Sequence, residues 1–487
     1  MALTNQSPNT GTSVAAQAPD AVAKLWQRGV EIYEQSADFF QQMEGGSDSV
    51  IHTVTDTAKG QGQKITFKTM AGFYDEPHLG EQLFEEQDDF QEILLNTHDL
   101  EVDFLRHAVR ITDRMEEFTG MRGEIKSNLP TELGKWLGRI KSERLFMMFL
   151  HKLNAENTVI AGGKSTDTLV TADTLDYDEI VALGVQLGRM GGQPANVGKN
   201  SPLFRNVVVA TTDSLYSLEL DTNYKQVLRE AGVRGDGNYI FNGGYTDVRG
   251  HIIKQYNPID HDGRGAVGSV LNPKAFLGGA ITAGTAVLDI LGGGNATAAA
   301  KTKIKYFKYF GGFAYPFLPS DTLSPASETR YLLIVNPPNA ATDPNKIGMY
   351  SYTTGNDGNK ITITKRLGSA AAGDRVTTLG TVQWNTGVWA GKHTHVHPVG
   401  SLIVPCNAAG VPFGHSLMLV RGAAYRGYGK YRNLRTEAEH EGGFVKDLFV
   451  TSVFGQAPRK NTDGRCPGAI VLRHALQYAG VPIPTVT

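Results

Sequence analysis

From Leu133 to Leu153, apolar residues recur at spacings near three and four: Leu133, Trp136, Leu137, Ile140, Leu145, Met148, Phe149 and Leu153. This is the strongest helical periodicity in the chain. Lys135, Arg139, Lys141, Glu143, Arg144 and Lys152 fall between them and give the helix a charged side. Pro130 precedes the pattern, with Thr131 as a cap near Glu132, so the helix is predicted to begin just after the proline. Roughly 25 residues of helix extend about 40 Å. On these residues alone it reads as a long core helix.

Segments upstream of it are strand-like. Val50, Ile51, Val54, Ile65, Phe67 and Met70 alternate with polar residues, and a glycine-rich stretch from Ala58 to Lys64 lies between the two runs. The pattern predicts a long two-stranded arm with its tip near Gly60 and Gly62. Such a ribbon is marginal alone and must lie on something. Upstream, residues 21–42 carry Val22, Leu25, Trp26, Val30, Ile32, Tyr33 and Phe39 and read as a helix. The first 20 residues are a polar arm, expected to be held by a neighbouring molecule. A second strand block spans residues 92–111.

Residues 175–290 alternate helix and strand: an amphipathic helix over 176–190, a buried strand over 206–210, and helical turns over 212–220 and 224–231. The last third changes character. Short strands at 331–335, 348–353, 360–365 and 377–384, separated by turn residues such as Gly355 to Gly358, mark a β-rich module. Apolar strands follow at 416–420, 444–453 and 469–473.

At 487 residues the chain exceeds one compact core, and its 56 glycines place much of it in turns and loops. A net charge of −2 argues against a sequence-independent grip on nucleic acid, which needs a Lys/Arg excess. It does not exclude a wall around DNA. The two cysteines, Cys406 and Cys466, read as buried free thiols of a reducing compartment, with one disulfide as the alternative. No signal peptide or membrane-spanning stretch is legible, which points to folding in a cytoplasm.

Four motifs invite chemistry. His393, His395 and His397 share one face of a strand, yet the three positions span about 13 Å, too wide for one metal ion. They read instead as a surface or inter-subunit histidine strand. Asp260, His261 and Asp262 sit in a loop that misses the calcium template. Gly292 to Lys301 misses the phosphate-loop template, because Asn295 and Ala300 hold places where glycine is required. Two aromatic-basic stretches, 303–313 and 421–432, could stack on single-stranded nucleic acid, but Tyr and Arg equally mark protein interfaces. With charge near zero, the interface reading is preferred. No catalytic residue, metal ligand or cofactor site is predicted.

Taken in order, a polar arm, a glycine-tipped ribbon, a long helix, a mixed domain and returning strands resemble the Hong Kong 97 fold of tailed-phage major capsid proteins. Residues 62–67 (GQKITF), 118–125 (FTGMRGEI) and 414–425 (GHSLMLVRGAAY) are similar to the long-insertion branch typified by coliphage N-four. The resemblance covers residues 50–290 and 410–480. It implies an α+β chain with an N-terminal arm and helix (1–48), an extended β-hairpin loop (49–90) and a peripheral domain with the spine helix (91–175). An axial domain (176–321), a β-rich insertion (322–411) and strands returning to the core (412–487) follow.

It also implies a structural protein and not an enzyme, assembled in the host cytoplasm into hexamers and pentamers of an icosahedral virion shell. That shell encloses double-stranded DNA without sequence-specific binding and has no membrane association. A separate scaffolding protein, a portal and room for a decoration protein are the implied partners. Inter-subunit contacts are expected at Trp26, Lys59, Gly60, Gln61, Gly62, Lys64, Lys68, Tyr425, Arg426 and Tyr428. Alternatives are the shell of a cellular nanocompartment or a metal-dependent enzyme.

Overall fold

The computed structural model describes residues 30, 32–35, 37–54, 64–70, 95–112, 124–197, 204–230, 250–256, 271, 275–276, 280, 287–289, 330–337, 340–341, 347–352, 360–367, 396–398, 401–407, 409–428, 434–440, 445–461 and 464–476. Strands are numbered β1–β20 and helices α1–α4 in chain order. Residues 1–145 with 422–464 cluster into one compact unit, and residues 146–421 with 465–487 into another.

The first unit is organised by one long strand, β19 (Val445–Pro458). Along one edge it pairs antiparallel with β17 (Ala424–Tyr428) and then β18 (Leu434–His440); along the other it pairs with β5 (Asp103–Thr112). β17 runs parallel to β2 (Ile51–Val54), and β2 parallel to β1 (Glu44–Gly45). Along β5 the side chains alternate as a strand with one covered face must. Leu105 and Ile111 are buried, whereas Phe104, Arg106, Ala108 and Arg110 are exposed. His107, on the covered side, stacks on Trp136 with ring centroids 4.3 Å apart.

Trp136 belongs to α1 (Glu124–Lys152), which is longer than its apolar pattern predicts and carries Pro130 inside it. The expected start after Pro130 is therefore corrected. A proline in a helix forgoes one backbone hydrogen bond, here to the carbonyl of residue 126, and its ring crowds that carbonyl. A 29-residue helix with a buried stripe at Leu133, Leu137, Ile140 and Leu145 absorbs that cost.

The expected hairpin is corrected too. Ile51–Val54 and Lys64–Met70 do not pair with each other. β3 (Lys64–Met70) forms a separate antiparallel ribbon with β4 (Leu95–Glu101), from Lys64 opposite Glu101 to Met70 opposite Leu95. Alternation alone cannot choose between two partners of equal pattern, and the nearer in sequence was the wrong one. The tip residues 55–63 lie outside the described residues.

In the second unit, β16 (Phe413–Leu419) is buried along its whole length between β20 (Ala469–Ala475) and β8 (Phe204–Ala210), antiparallel to both. β6 (Thr158–Ile160) and β9 (His251–Gln255) extend this sheet in parallel, and β7 (Ala195–Asn196) pairs antiparallel with β8. Helix α2 (Tyr177–Arg189) places Ile180, Leu183 and Leu187 in a core with Val208, Met418, Ile470 and Leu472. The shorter α3 (Thr212–Leu220) and α4 (Thr222–Glu230) add Leu215, Leu218 and Tyr224. The predicted elements of residues 176–230 are thus present.

A second sheet in this unit is wholly antiparallel. Its order is β10 (Ala275–Phe276), β15 (Leu402–Cys406), β12 (Arg330–Val335), β13 (Ile347–Tyr352), β14 (Lys360–Leu367) and β11 (Val287–Asp289). Leu333, Val335, Ile347, Met349, Val404 and Cys406 form its core with Leu476. Three of the four short strands expected in the β-rich stretch are here; the fourth, at 377–384, lies outside the described residues. Cys406 and Cys466 are both free and buried.

Candidate functional site

A buried cluster of charged and polar side chains lies in the first unit, where residues 30–45 meet α1 and β17. Residues 30, 32–35 and 37 are helical, and Asp38 then caps a tight 3-10 turn (Phe39–Met43) by accepting the Phe40 amide at 3.1 Å. The same carboxylate accepts the Ser142 hydroxyl at 2.8 Å, and Ser142 Oγ accepts the Phe39 amide at 3.0 Å. The other Asp38 oxygen accepts Arg426 Nη1 at 2.5 Å. Arg426 also ion-pairs with Glu44, whose second oxygen accepts the Tyr428 hydroxyl at 3.4 Å. One turn earlier, Glu34 pairs with Lys141.

Glu34, Lys141 and Arg426 are each 0% exposed and Asp38 is 4% exposed. Lys141 Nζ also lies 4.9 Å from the ring centroids of both Tyr428 and Phe454. Burial opposes the Arg426 charge, but the Asp38 carboxylate, through its charge and its hydrogen bond, together with the Glu34 charge outweighs it, and its pKa stands above the ordinary guanidinium value.

Two glycines of α1 make this approach possible. A Cβ on Gly134 would lie 2.7 Å from the Val30 carbonyl oxygen, and one on Gly138 would lie 2.5 Å from that of Glu34. Four residues apart, they clear one stripe of the helix so that backbone packs on backbone. The pair was legible in the sequence, but a glycine spacing says nothing about which segment will fill it.

This geometry moves three expected contact residues inward. Tyr425 and Tyr428 are 5% and 3% exposed, and Arg426 is fully buried, all engaged within their own unit. Tyr425 packs with Leu100 and lies edge-on to His52 at 5.8 Å. Lys64 and Lys68 stand on β3, opposite Glu101 and Thr97. Trp26, Lys59, Gly60, Gln61 and Gly62 lie outside the described residues, as do residues 260–262, 292–302 and 303–313.

The histidine strand is corrected at its described end. His397 is 0% exposed, with the Tyr350 hydroxyl at 2.6 Å from Nε2 and Asn336 Oδ1 at 2.6 Å from Nδ1. Both ring nitrogens are thereby engaged; residues 393–395 lie outside the described residues. No group of three His, Cys, Asp or Glu side chains placed to hold a metal occurs among the described residues.

The second unit contains a hydroxyl–imidazole pair that resembles an activated nucleophile. Ser416 Oγ lies 2.9 Å from His474 Nε2, and His474 Nδ1 lies 3.0 Å from the Ala475 carbonyl. Both side chains are 0% exposed, so no substrate can reach them. Burial holds the His474 pKa down at about 4. At the start of α2, burial raises the carboxyls of Asp176 and Glu179 above their usual values. Asp176 caps that helix through the Glu179 amide at 2.8 Å, and Glu179 accepts the Gly162 amide at 2.7 Å. These groups secure structure.

No reaction centre occurs among the described residues, and the fold, which is similar to that of phage capsid chains, is the most informative property. The capsid of Ralstonia phage GP4 is similar over 92% of this chain and 93% of that one, with a TM-score of 0.51 and 14% identity. The cyanophage Pam1 capsid is similar over 90% and 92%, with a TM-score of 0.50 and 10% identity. No protein-family model and no curated relative matches the sequence. The α+β architecture read from the sequence is present, together with a capsid-type fold.

Proposed function

We propose that this chain is the major capsid protein of a tailed bacteriophage, of the Hong Kong 97 fold and its long-insertion branch. In this reading it assembles into hexamers and pentamers that close an icosahedral head around double-stranded DNA. The observation that carries the reading is a likeness of fold to phage capsid chains that runs over nine-tenths of both partners. Similarity over so much of both chains leaves little room for an added catalytic domain, and heterologous contacts that close into rings need no reactive group.

The two-stranded ribbon β3–β4 takes the place of the extended loop, α1 that of the spine helix, and the sheet around β16 that of the axial domain. Strands β12–β15, within residues 322–411, belong to the β-rich insertion. Residues 1–29 and the loop around Gly60, with Lys59, Gln61, Gly62, Lys64 and Lys68, reach adjacent subunits. A scaffolding protein, a portal and a decoration protein complete the head, which forms in the host cytoplasm.

The test is size-exclusion chromatography and negative-stain microscopy of the full chain co-expressed with its scaffold. Capsomer rings or closed shells are expected. A monodisperse monomer or dimer at all concentrations overturns the reading.

A further inference from the structure

We infer that residues 30–45 form a strap which opens and closes as a unit, held by a buried charge clasp on α1 and β17. All three acidic side chains that anchor it, Glu34, Asp38 and Glu44, come from the strap. Both cations that receive them, Lys141 and Arg426, come from the body of the unit. Among these five residues the acids lie on the strap and the cations on its seat.

Its apolar hold is small by comparison. Val30, Phe40 and Met43 are buried, but Ile32 and Tyr33 are 55% and 40% exposed. A helical stretch this short does not persist in water by itself. Buried ion pairs recover little more than the cost of desolvating their charges, so a segment that relies on them belongs to the low-stability end of its domain. The seat is nonetheless specific. Gly134 and Gly138 admit the strap's backbone at one height on α1, and Gly46 opens the bend that leads from β1 to β2. The clasp therefore fixes where residues 1–29 join the body, while leaving the junction able to detach with loss of only the two-residue edge strand β1 from the sheet. This last consequence rests on the shell reading, in which the arm contacts a neighbour; the strap itself does not.

The test uses the unassembled full chain and site-resolved hydrogen exchange with limited proteolysis. Arg426→Met leaves Asp38 and Glu44 without their cation. Exchange and cleavage within residues 30–45 are expected to rise at least tenfold, with β19 and β5 unchanged. The double replacement Glu34→Leu with Lys141→Met substitutes an apolar pair of similar size and is expected to keep the strap closed. Loss of protection in strap and sheet together, or no change in either, overturns the proposal. Wild-type assembly, scored in parallel, reports on the shell reading independently.

Discussion

Gly138 of α1 lies against the carbonyl of Glu34, close enough that a single added methyl would stand 2.5 Å from that oxygen. The neighbouring Asp38 amide would be 2.8 Å away. In an open helix, glycine to alanine is favourable by up to about 1 kcal/mol. Here the atoms in the way are backbone and cannot rotate aside. Gly138→Ala is expected to lower stability by about 1–3 kcal/mol, the usual range for overpacking. Urea denaturation of the two proteins measures it, and an increase in stability would show that the segment is not seated on the helix.

His474 gives a pH dependence with a definite sign. Its folded-state pKa of about 4 lies below the ordinary 6.5, so below pH 6.5 the unfolded chain binds a proton that the folded chain refuses. Stability from this residue is complete above about pH 6.5 and falls as pH drops toward 4, by about 3 kcal/mol over that interval. Asp176 and Glu179 act oppositely. Their raised carboxyls favour the protonated folded state, so their contribution improves as pH falls. Comparing wild type with His474→Asn between pH 7.5 and 4.5 isolates the histidine. The variant is expected to show the shallower acid loss, and parallel curves would refute the assignment.

Asn157 is buried at 0% and ties two strand ends together. Its amide donates to the carbonyls of Cys466 at 2.7 Å and Ala469 at 2.8 Å, while its oxygen accepts the Cys466 amide at 3.1 Å. Asn157→Ala strands three backbone groups without partners in a dry site. The expected loss is about 2–4 kcal/mol, given about 1–3 kcal/mol for one unsatisfied group and partial relaxation. Asn157→Asp, which keeps the acceptor but removes both donors, should also destabilise. Thermal denaturation of the three proteins ranks them.

The two thiols are expected to be silent until the second unit opens. Burial raises the Cys406 pKa well above its usual value, and Cys466 is 0% exposed. Since the thiolate is the reactive form, labelling by a thiol reagent at pH 7.5 should follow unfolding and not precede it. Two equivalents of rapid labelling in native buffer would contradict this burial.

Much of the secondary structure was readable because it is local. The unbroken apolar run Tyr331–Val335 marks a strand covered on both faces, and the helical period from Ile180 to Leu187 states its covered face in any context. The stripe Leu133–Leu137–Ile140 did the same for α1. What could not be read was partnership. Arg426 in a tyrosine-rich, basic stretch has the composition of an interface, and only the arrival of Asp38 from 388 residues away makes it a core residue. Lys64–Met70 has the pattern of a hairpin strand, but its partner is Leu95–Glu101 and not Ile51–Val54. His397 looks like part of an open histidine ladder until Tyr350 and Asn336 close on both ring nitrogens. Periodicity is set by the few residues of one turn or pleat. The choice of partner is settled by packing among segments distant in the chain, where one well-placed cation decides whether a polar side chain faces water or the core.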